Sequence, residues 1–173
     1  MLIENSPGLD KMNSAAFIQC VGSREPNRPY CSKICCTHSV HNAIELKTRK
    51  PDMDVFILYR DIRTYGENEL LYKKARDLGV IFIRYDLENK PEVHSENGSL
   101  IIKARDHVLG QPLEIESDLL VLATAIIPRK DEKLANFFKV PLNEEGFFVE
   151  KHAKLGPAEF ATDGVFICGS GHY

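Results

Sequence analysis

Three short apolar runs that alternate with two amphipathic segments constrain the fold more than any other feature of this sequence. The runs are AAFIQCVG from Ala15, DVFILYR from Asp54 and GVIFIRYD from Gly79, and all are rich in β-branched and aromatic residues. Residues 32–50 and 67–78 between them have the apolar spacing of helices. The order strand, helix, strand, helix, strand predicts an α/β fold with a Rossmann-like parallel sheet and flanking helices.

The second half of the chain contains turn signals and weaker patterns. Asn97-Gly98 predicts a hairpin, and a later Gly-Gln-Pro turn leads to the apolar run 119–125, so we expect a β-meander on one edge of the sheet. A short helix is expected over 134–138. The last apolar run, GVFIC, predicts a buried strand with Cys168 in the core. Because its glycine-rich end normally leads into a helix, we expect a piece of a longer protein.

Composition and charge exclude several classes of function. The 173 residues carry a net charge of -3 and are 43% hydrophobic and 27% charged, which is an ordinary composition for a folded domain and not the basic footprint of a nucleic-acid-binding protein. No apolar run reaches the roughly 18 to 20 residues of a membrane span. The first residues lack the basic and apolar stretches of a signal peptide. We therefore expect a cytoplasmic chain with no nucleic-acid partner and no membrane insertion.

Four of the five cysteines lie within one predicted strand–turn–helix unit. Cys20, Cys31, Cys35 and Cys36 have the spacing C-x10-C-x3-C-C, which matches neither the C-x2-C pairs of zinc sites nor the cysteine run of ferredoxins. In a reducing compartment, clustered cysteines bind metal or do redox chemistry more often than they form structural disulfides. Adjacent helix residues project about 100° apart, which suits the separated irons of a cubane better than one zinc ion. A zinc ion, a dithiol redox pair and simple burial stay open as alternatives.

The loop that holds these cysteines replaces the phosphate-binding loop of a dinucleotide fold. A G-x-G-x-x-G turn after the first strand lets the backbone approach a pyrophosphate. Here VGSREPNRPYCSKICC contains a single glycine and is too long for a tight turn. Nicotinamide binding at this position is therefore disfavoured. The basic side chains of Arg24, Arg28 and Lys33 near a helix start instead favour an anionic cluster.

The stretches FIQCVGSRE, YCSKICC and ILYRDIRTYG resemble the corresponding parts of the heterodisulfide reductase A subunit and its relatives, a family of iron–sulfur flavoproteins of the thioredoxin-reductase type. The order of the strands and the meander, followed by LLVLATAIIP and GVFICGSG, is similar to the nicotinamide-type domain and the returning flavin segment of that superfamily. The resemblance implies a nicotinamide-like Rossmann domain with the cysteine cluster over residues 1–128. It implies a segment that returns to an incomplete flavin domain over residues 129–173.

The same resemblance implies cofactors and a function. The four clustered cysteines would hold a [4Fe-4S] cluster that relays electrons between the flavin and partner iron–sulfur subunits. FAD is expected in the full-length parent oxidoreductase, where Gly169 of the flavin segment would contact it, although CGSGH lacks the usual aspartate. FAD is not expected on this chain alone, which we expect to be inactive. The parent is expected to join other subunits of an electron-transfer complex, and a homodimer of the parent is one expected arrangement.

Other polar residues near the cysteines have structural interpretations beside functional ones. His38 and His41 lie one to two turns into the predicted helix, and we expect them to be exposed rather than to be ligands. Arg60, Asp61 and Arg63 follow the second strand, where α/β proteins bind ligands. Because the phosphate loop is missing, we predict that these three residues form a structural ion-pair network.

Two alternative functions stay open on the sequence. A pyridine-nucleotide-disulfide oxidoreductase domain would use two of the cysteines as a dithiol, and a thiol of low pKa at the helix start would support it. A partner-docking module would carry the cysteines without a metal or a redox response. The iron–sulfur hypothesis and the dithiol hypothesis differ in whether iron and sulfide bind to the chain.

Overall fold

The computed structural model describes residues 8–96 and 98–172. Single 3-10 turns cover Leu9–Lys11, Gly66–Asn68 and Gly169–Gly171. In chain order the described strands and α-helices are β1 (Ser14–Val21), α1 (Cys35–Arg49), β2 (Asp54–Tyr59), α2 (Glu69–Asp77), β3 (Ile81–Arg84), β4 (Glu92–Glu96), β5 (Ser99–Arg105), β6 (Pro112–Ser117), β7 (Leu119–Thr124) and α3 (Glu132–Phe138).

A four-stranded parallel sheet in the order β3-β2-β1-β7 forms the centre of the fold. Ala15 of β1 is in register with Val55 of β2 on one side and with Leu119 of β7 on the other. From β1, the chain therefore continues to β2 and β3 on one side and returns to β7 on the opposite side. The predicted α/β fold with a Rossmann-like sheet is confirmed. The carboxyl end of β1 lies at the position where open α/β sheets usually hold a ligand.

Strand β1 is buried on both of its faces, which explains its uninterrupted apolar run. Successive residues of a strand point to opposite faces. Phe17 packs in one core cluster with Val40 of α1, and Ile18 packs in a second cluster with Ile102 of β5 and Ile115 of β6. The helices therefore cover one face of the parallel sheet and the meander covers the other.

The predicted meander forms, but its predicted place on one edge of the parallel sheet is wrong. Strands β4, β5 and β6 form a separate antiparallel sheet in that order. Ile102 and Ile115 are direct partners across β5 and β6, and burying this apolar side against the open face of the parallel sheet removes both surfaces from water. The predicted hairpin pairs Glu96 with Ser99, while Asn97 of its turn lies outside the described residues.

Both long predicted helices form, and both are shorter than predicted. Helix α1 begins at Cys35 and ends at Arg49, and the apolar stripe of Cys36, Val40, Ala43 and Ile44 on one face is buried. Helix α2 follows a 3-10 turn instead of beginning at residue 67. The predicted short helix near 134–138 is α3. Among the described residues, no helix combines the length and the apolar character that crossing a bilayer requires.

The part of the chain after residue 128 packs partly on itself. Ala135, Val140, Phe160 and Ile167 form a small apolar cluster. The predicted strand that ends at Cys168 is wrong, because the described residues 164–168 pair only through one bridge between Phe166 and Glu159. Cys168 is exposed and not in the core. A strand needs a neighbouring strand for its backbone groups, and this segment has only that single bridge.

Candidate metal centre

The four clustered cysteines lie around the carboxyl end of β1. Cys20 is the residue before the last of β1, Cys35 and Cys36 are the first two residues of α1, and Cys31 lies on the loop between them. Cys20, Cys31 and Cys36 are buried, Cys35 is partly exposed, and all four are free thiols. The chain thus brings a strand end, a loop and a helix start to one place.

Electrostatic interactions between the thiols show that they share one neighbourhood. The pKa of Cys35 is raised by a hydrogen bond with Cys36, by burial, and by the charges of Cys36, Cys20 and Cys31. The pKa of Cys36 is lowered to about 6, mainly by the hydrogen bond with Cys35 and then, against the effect of burial, by the amide and the charge of Arg63. Within this pair, ionisation is therefore favoured at Cys36 over Cys35.

The segment that follows β2 also contacts the helix start. The Cys36 Sγ atom lies 3.7 Å from the carbonyl oxygen of Asp61, a contact in which a neutral thiol is the donor. A thiolate instead accepts from the Cys35 thiol and from the Arg63 amide. These accepting contacts are among the causes of the lowered pKa of Cys36.

Two further hydrogen-bond donors reach sulfur atoms of the site. The backbone amide of Lys33 lies 3.3 Å from Sγ of Cys31. The Nη1 atom of Arg24 lies 3.9 Å from Sγ of Cys20. Hydrogen bonds and positive charge at sulfur stabilise a thiolate and tune the potential of a thiolate-bound cluster.

The backbone of the loop is in left-handed conformations that sequence patterns do not predict. Cys20 has a φ of 60°, Arg24 a φ of 56° and Lys33 a φ of 60°. The pairing of β1 with β7 shifts its register between Ile18 and Val21, around Cys20. A bulge of this kind redirects a side chain, and left-handed residues other than glycine persist only where their surroundings hold them.

Side chains from the residues that directly follow β2 and β3 hold this strained backbone. The guanidinium of Arg60 donates to the carbonyl oxygens of Arg24 at 2.8 Å and of Ser23 at 2.6 Å. The hydroxyl of Tyr85 donates to the carbonyl oxygen of Gln19 at 2.5 Å. Sequence reasoning missed Tyr85, although its place at the carboxyl end of a strand of the same sheet was a usable signal.

The predicted ion-pair network at the end of β2 is confirmed for Asp61 and Arg63, which have additional partners, and is wrong for Arg60. The carboxylate of Asp61 lies 2.5 Å from Nη2 of Arg24 and 3.9 Å from the guanidinium groups of Arg63 and Arg84. The guanidinium of Arg60 instead donates hydrogen bonds to backbone carbonyl oxygens. Arg84 was missed because it ends an otherwise apolar run.

The later start of α1 has a local cause. Lys33 is left-handed and cannot continue a helix. The Ser32 hydroxyl accepts a hydrogen bond from the Ile126 amide at 3.0 Å, so this side chain ties the loop to the end of β7 instead of capping α1. Cys31 therefore approaches the site from the loop and not from the helix. His38 and His41 are exposed on α1, as predicted.

A cavity of about 430 Å³ separates the cysteine loop from the last residues of the chain. Gly169, the predicted flavin-contact residue, lines it opposite Lys33 and His38. Tyr30 and Phe147 pack edge to face across the same region with ring centroids 5.2 Å apart. The structure therefore brings Gly169 close to the cysteine loop, although the two are far apart in sequence.

The donor atoms of this site fit a thiolate-bound cluster. Among the described residues, no three His, Cys, Asp or Glu side chains surround one point closely enough to ligate a single ion. A cubane binds each thiolate through a different iron, so its four sulfurs need not lie within bonding distance of a single ion. Four thiols, three of them with amide or guanidinium donors at the sulfur, match that chemistry.

Solved structures define the class of protein to which this fold belongs. Thioredoxin reductase of T. acidophilum aligns with 96% of this chain and 47% of its own, with a TM-score of 0.53 and 14% identity. The HOCl-induced flavoprotein disulfide reductase RclA of Escherichia coli aligns with 92% of this chain and 31% of its own, with a TM-score of 0.51 and 16% identity. Identities this low concern the fold alone, which is that of the thioredoxin-reductase type.

The chain is also similar in sequence to one particular group of proteins. The chain is 41% identical over 161 residues to the iron-sulfur A subunit of CoB–CoM heterodisulfide reductase from Methanocaldococcus jannaschii, covering 88% of this chain and 24% of the relative. It is 37% identical over 162 residues to the heterodisulfide reductase A-subunit-like protein of Archaeoglobus profundus, covering 92% of this chain and 23% of the relative. The resemblance to the heterodisulfide reductase A subunit is therefore confirmed.

A third relative gives the same result. The A subunit of the H2/formate:CoB-CoM heterodisulfide,ferredoxin reductase from Methanococcus maripaludis is 40% identical over 158 residues, covering 88% of this chain and 24% of the relative. The chain spans about a quarter of the length of the curated relatives it matches. No family model matches it.

Proposed function

We propose that this chain is the cluster-carrying, electron-transfer portion of an oxidoreductase that is similar to the heterodisulfide reductase A subunit. Cys20, Cys31, Cys35 and Cys36 are the proposed ligands of a [4Fe-4S] cluster. The observation that carries the proposal is the gathering of four free thiols, with N–H donors at three of their sulfurs, at the end of a parallel sheet where α/β proteins bind ligands. The name of the similar protein from Methanocaldococcus jannaschii describes it as an iron-sulfur subunit.

The residues of this chain would hold the cluster and tune it. When bound, a [4Fe-4S] cluster supplies one-electron chemistry, and its potential depends on charge, hydrogen bonds to sulfur and exposure. The amides of Lys33 and Arg63 and the guanidinium of Arg24 are placed to stabilise thiolate charge. Burial of Cys20, Cys31 and Cys36 keeps water from three of the sulfurs.

The flavin belongs to the parent protein in this proposal. Residues 1–128 are the proposed Rossmann domain, and residues 129–173 are the proposed segment of an incomplete flavin domain. The apolar cluster within the latter segment supports this division. Gly169 is the proposed contact to FAD on this chain, because it lines the cavity beside the cysteine loop. The chain alone is proposed to hold no FAD and to turn over no substrate.

The proposed partners are iron–sulfur and other subunits of an electron-transfer complex. The similar proteins are named as subunits of heterodisulfide reductases, which supports this assignment. A homodimer of the parent is part of the same proposal. Free clustered thiols suit a reducing compartment, so we place the protein in the cytoplasm.

A dithiol redox site is the second candidate, and one observation favours it. The Cys36 thiol has a pKa lowered to about 6 by its hydrogen bond with Cys35, and a stabilised thiolate beside a second thiol is the starting point of thiol–disulfide exchange. This candidate uses only the Cys35 and Cys36 thiols and leaves the placement of Cys20 and Cys31 unexplained.

Anaerobic reconstitution of the chain tests the proposal. We expect a brown protein with about four iron and four acid-labile sulfide per chain and an electron paramagnetic resonance signal after reduction. Replacing any one of the four proposed ligands with serine should reduce the bound iron. Cys168→Ser is the matched control, because Cys168 is exposed outside the cysteine loop, and it should retain full iron content.

The two candidates give opposite results in this experiment. A colourless protein that binds no iron or sulfide, and that reversibly forms one disulfide between Cys35 and Cys36, would favour the dithiol site. Full iron content in the Cys20→Ser and Cys31→Ser variants would contradict the four-cysteine ligand set.

A further inference from the structure

We propose that Arg24 raises the reduction potential of this centre through Cys20 and that Asp61 moderates the effect. The inference rests on the proposed cluster site. Arg24 places Nη1 at 3.9 Å from Sγ of Cys20 and Nη2 at 2.5 Å from the carboxylate of Asp61. One guanidinium thus joins a proposed ligand at the end of β1 to a carboxylate from the neighbouring strand, 37 residues away.

The backbone of Arg24 is held on both sides, so the guanidinium is positioned in advance. Its amide donates to the carbonyl oxygen of Tyr30 at 3.0 Å, and its own carbonyl oxygen accepts from Arg60 at 2.8 Å. Between these contacts, Glu25 and Arg28 exchange two backbone hydrogen bonds of 2.9 Å and close a tight hairpin. The Arg24 side chain is only 20% exposed, which limits its freedom and its screening by salt.

Other cations near the site make different contacts. The Arg28 guanidinium donates to the Gly22 carbonyl oxygen at 3.4 Å, and the Arg60 guanidinium donates to carbonyl oxygens of the loop. Lys33 contacts Cys31 through its backbone amide, which a side-chain substitution does not remove. Arg24 is therefore the residue at which one substitution removes a positive charge and a donor from a thiol sulfur together.

The sign of the effect follows from the charge change on reduction. One electron enters the cluster from a donor or a mediator dye, no bond forms or breaks, and Arg24 keeps its proton. The reduced cluster carries one more negative charge, so a nearby cation stabilises the reduced state more than the oxidised state and raises the potential. The Asp61 carboxylate offsets part of that cation and adds its own negative charge, so it lowers the potential.

Anaerobic redox titration of the reconstituted chain, followed by electron paramagnetic resonance, tests this role. In Arg24→Gln we expect a more negative midpoint potential with unchanged iron content, and in Arg24→Lys a midpoint between those of Arg24→Gln and the wild type. In Asp61→Asn we expect a shift in the opposite direction. Arg49→Gln is the matched control, because it removes one positive charge at the far end of α1, where Arg49 pairs with Glu45, and its midpoint should not move.

The outcomes separate this inference from the proposed function. Arg24→Gln with full iron and an unmoved midpoint overturns the inference and leaves the cluster site intact, and so do shifts of the same sign in Arg24→Gln and Asp61→Asn. If the Arg24→Gln variant loses its iron, the Asp61→Asn variant tests the inference instead. A midpoint potential of Asp61→Asn that equals the wild-type value, or is more negative than it, overturns the inference. A wild-type chain that takes up no iron or sulfide overturns the proposed function and this inference with it.

Discussion

At the scale of single residues, the site depends on side chains that hold the backbone as well as on those that carry sulfur. Cys20 is left-handed inside a strand, a conformation that costs roughly 1–3 kcal/mol for a residue other than glycine. The hydroxyl of Tyr85, a residue that is 5% exposed, holds the preceding carbonyl of Gln19. The position of the Cys20 sulfur is therefore set partly from β3.

Tyr85→Phe tests this support. The substitution keeps the packing of the ring and removes the hydroxyl donor, leaving the Gln19 carbonyl with one partner fewer inside the core. We expect a loss of about 1–3 kcal/mol in the free energy of unfolding, measured by denaturant titration of the metal-free chain. Tyr72→Phe on α2 is the control and should change stability by less. Equal losses in the two variants would contradict a special role for the Tyr85 hydroxyl.

At the scale of elements, the ends of β1 are fixed to different neighbours. Its carboxyl end is bulged and meets the cysteine loop. Its amino end is tied to the start of β7, because the Asp118 carboxylate accepts hydrogen bonds from the Asn13 amide at 2.6 Å and from the Ser14 amide at 3.1 Å. The carboxyl end of β1 can therefore be bulged while the amino end stays in register with β7.

Asp118→Ala should destabilise the chain in a pH-dependent way. Hydrogen bonds from the Asn13 and Ser14 backbone lower the pKa of Asp118 in the folded state. A lowered folded pKa contributes stability that is complete above the unfolded pKa and is lost as the pH falls through the folded pKa. We expect a loss of about 1 kcal/mol at pH 7, small for charged hydrogen bonds because the carboxylate is exposed.

The pH dependence of this loss of stability distinguishes the role of the Asp118 charge from a simple loss of packing. The difference in unfolding free energy between the wild type and Asp118→Ala should narrow as the pH falls below about 4, the unfolded pKa of aspartate. Asp163→Ala, a substitution of an exposed aspartate in the C-terminal segment, is the control. A difference that stays constant from pH 7 to pH 3 would contradict the assigned role of the Asp118 charge.

At the scale of the whole molecule, this chain has the sheet of a dinucleotide-binding domain without its phosphate-binding turn. The cysteine loop occupies the carboxyl end of β1, where that turn would lie. The chain also spans only about a quarter of its curated relatives. Gly169 and its neighbours line one side of a cavity. Flavin binding also requires a glycine-rich βαβ unit.

We therefore expect the isolated chain to bind neither NADH nor FAD with micromolar affinity. Isothermal titration calorimetry of the metal-free and the reconstituted chain would measure this, because dinucleotide binding depends on backbone amides of a glycine-rich loop that the chain does not contain. A dehydrogenase of known affinity, titrated from the same stock, is the control. A dissociation constant in the micromolar range for either dinucleotide would contradict the expectation.

The sequence by itself determined the local parts of this protein. Strands β1, β2 and β3 and the buried stripe of α1 follow from apolar periodicity, which each segment carries within its own residues. The grouping of Cys20 with Cys31, Cys35 and Cys36 follows from their closeness along the chain and from the parallel strand order, which brings a strand end and the next helix start together.

Only the tertiary structure decided how these parts meet. The meander covers one face of the parallel sheet because Ile102 and Ile115 pack against apolar side chains there. The apolar periodicity of a segment does not show which surface the segment will pack against. The left-handed Cys20, the contact between Arg24 and Asp61, and the exposure of Cys168 depend on residues distant in sequence. Backbone strain and charge pairing of this kind are stable only when the surrounding fold holds them, so no local pattern encodes them.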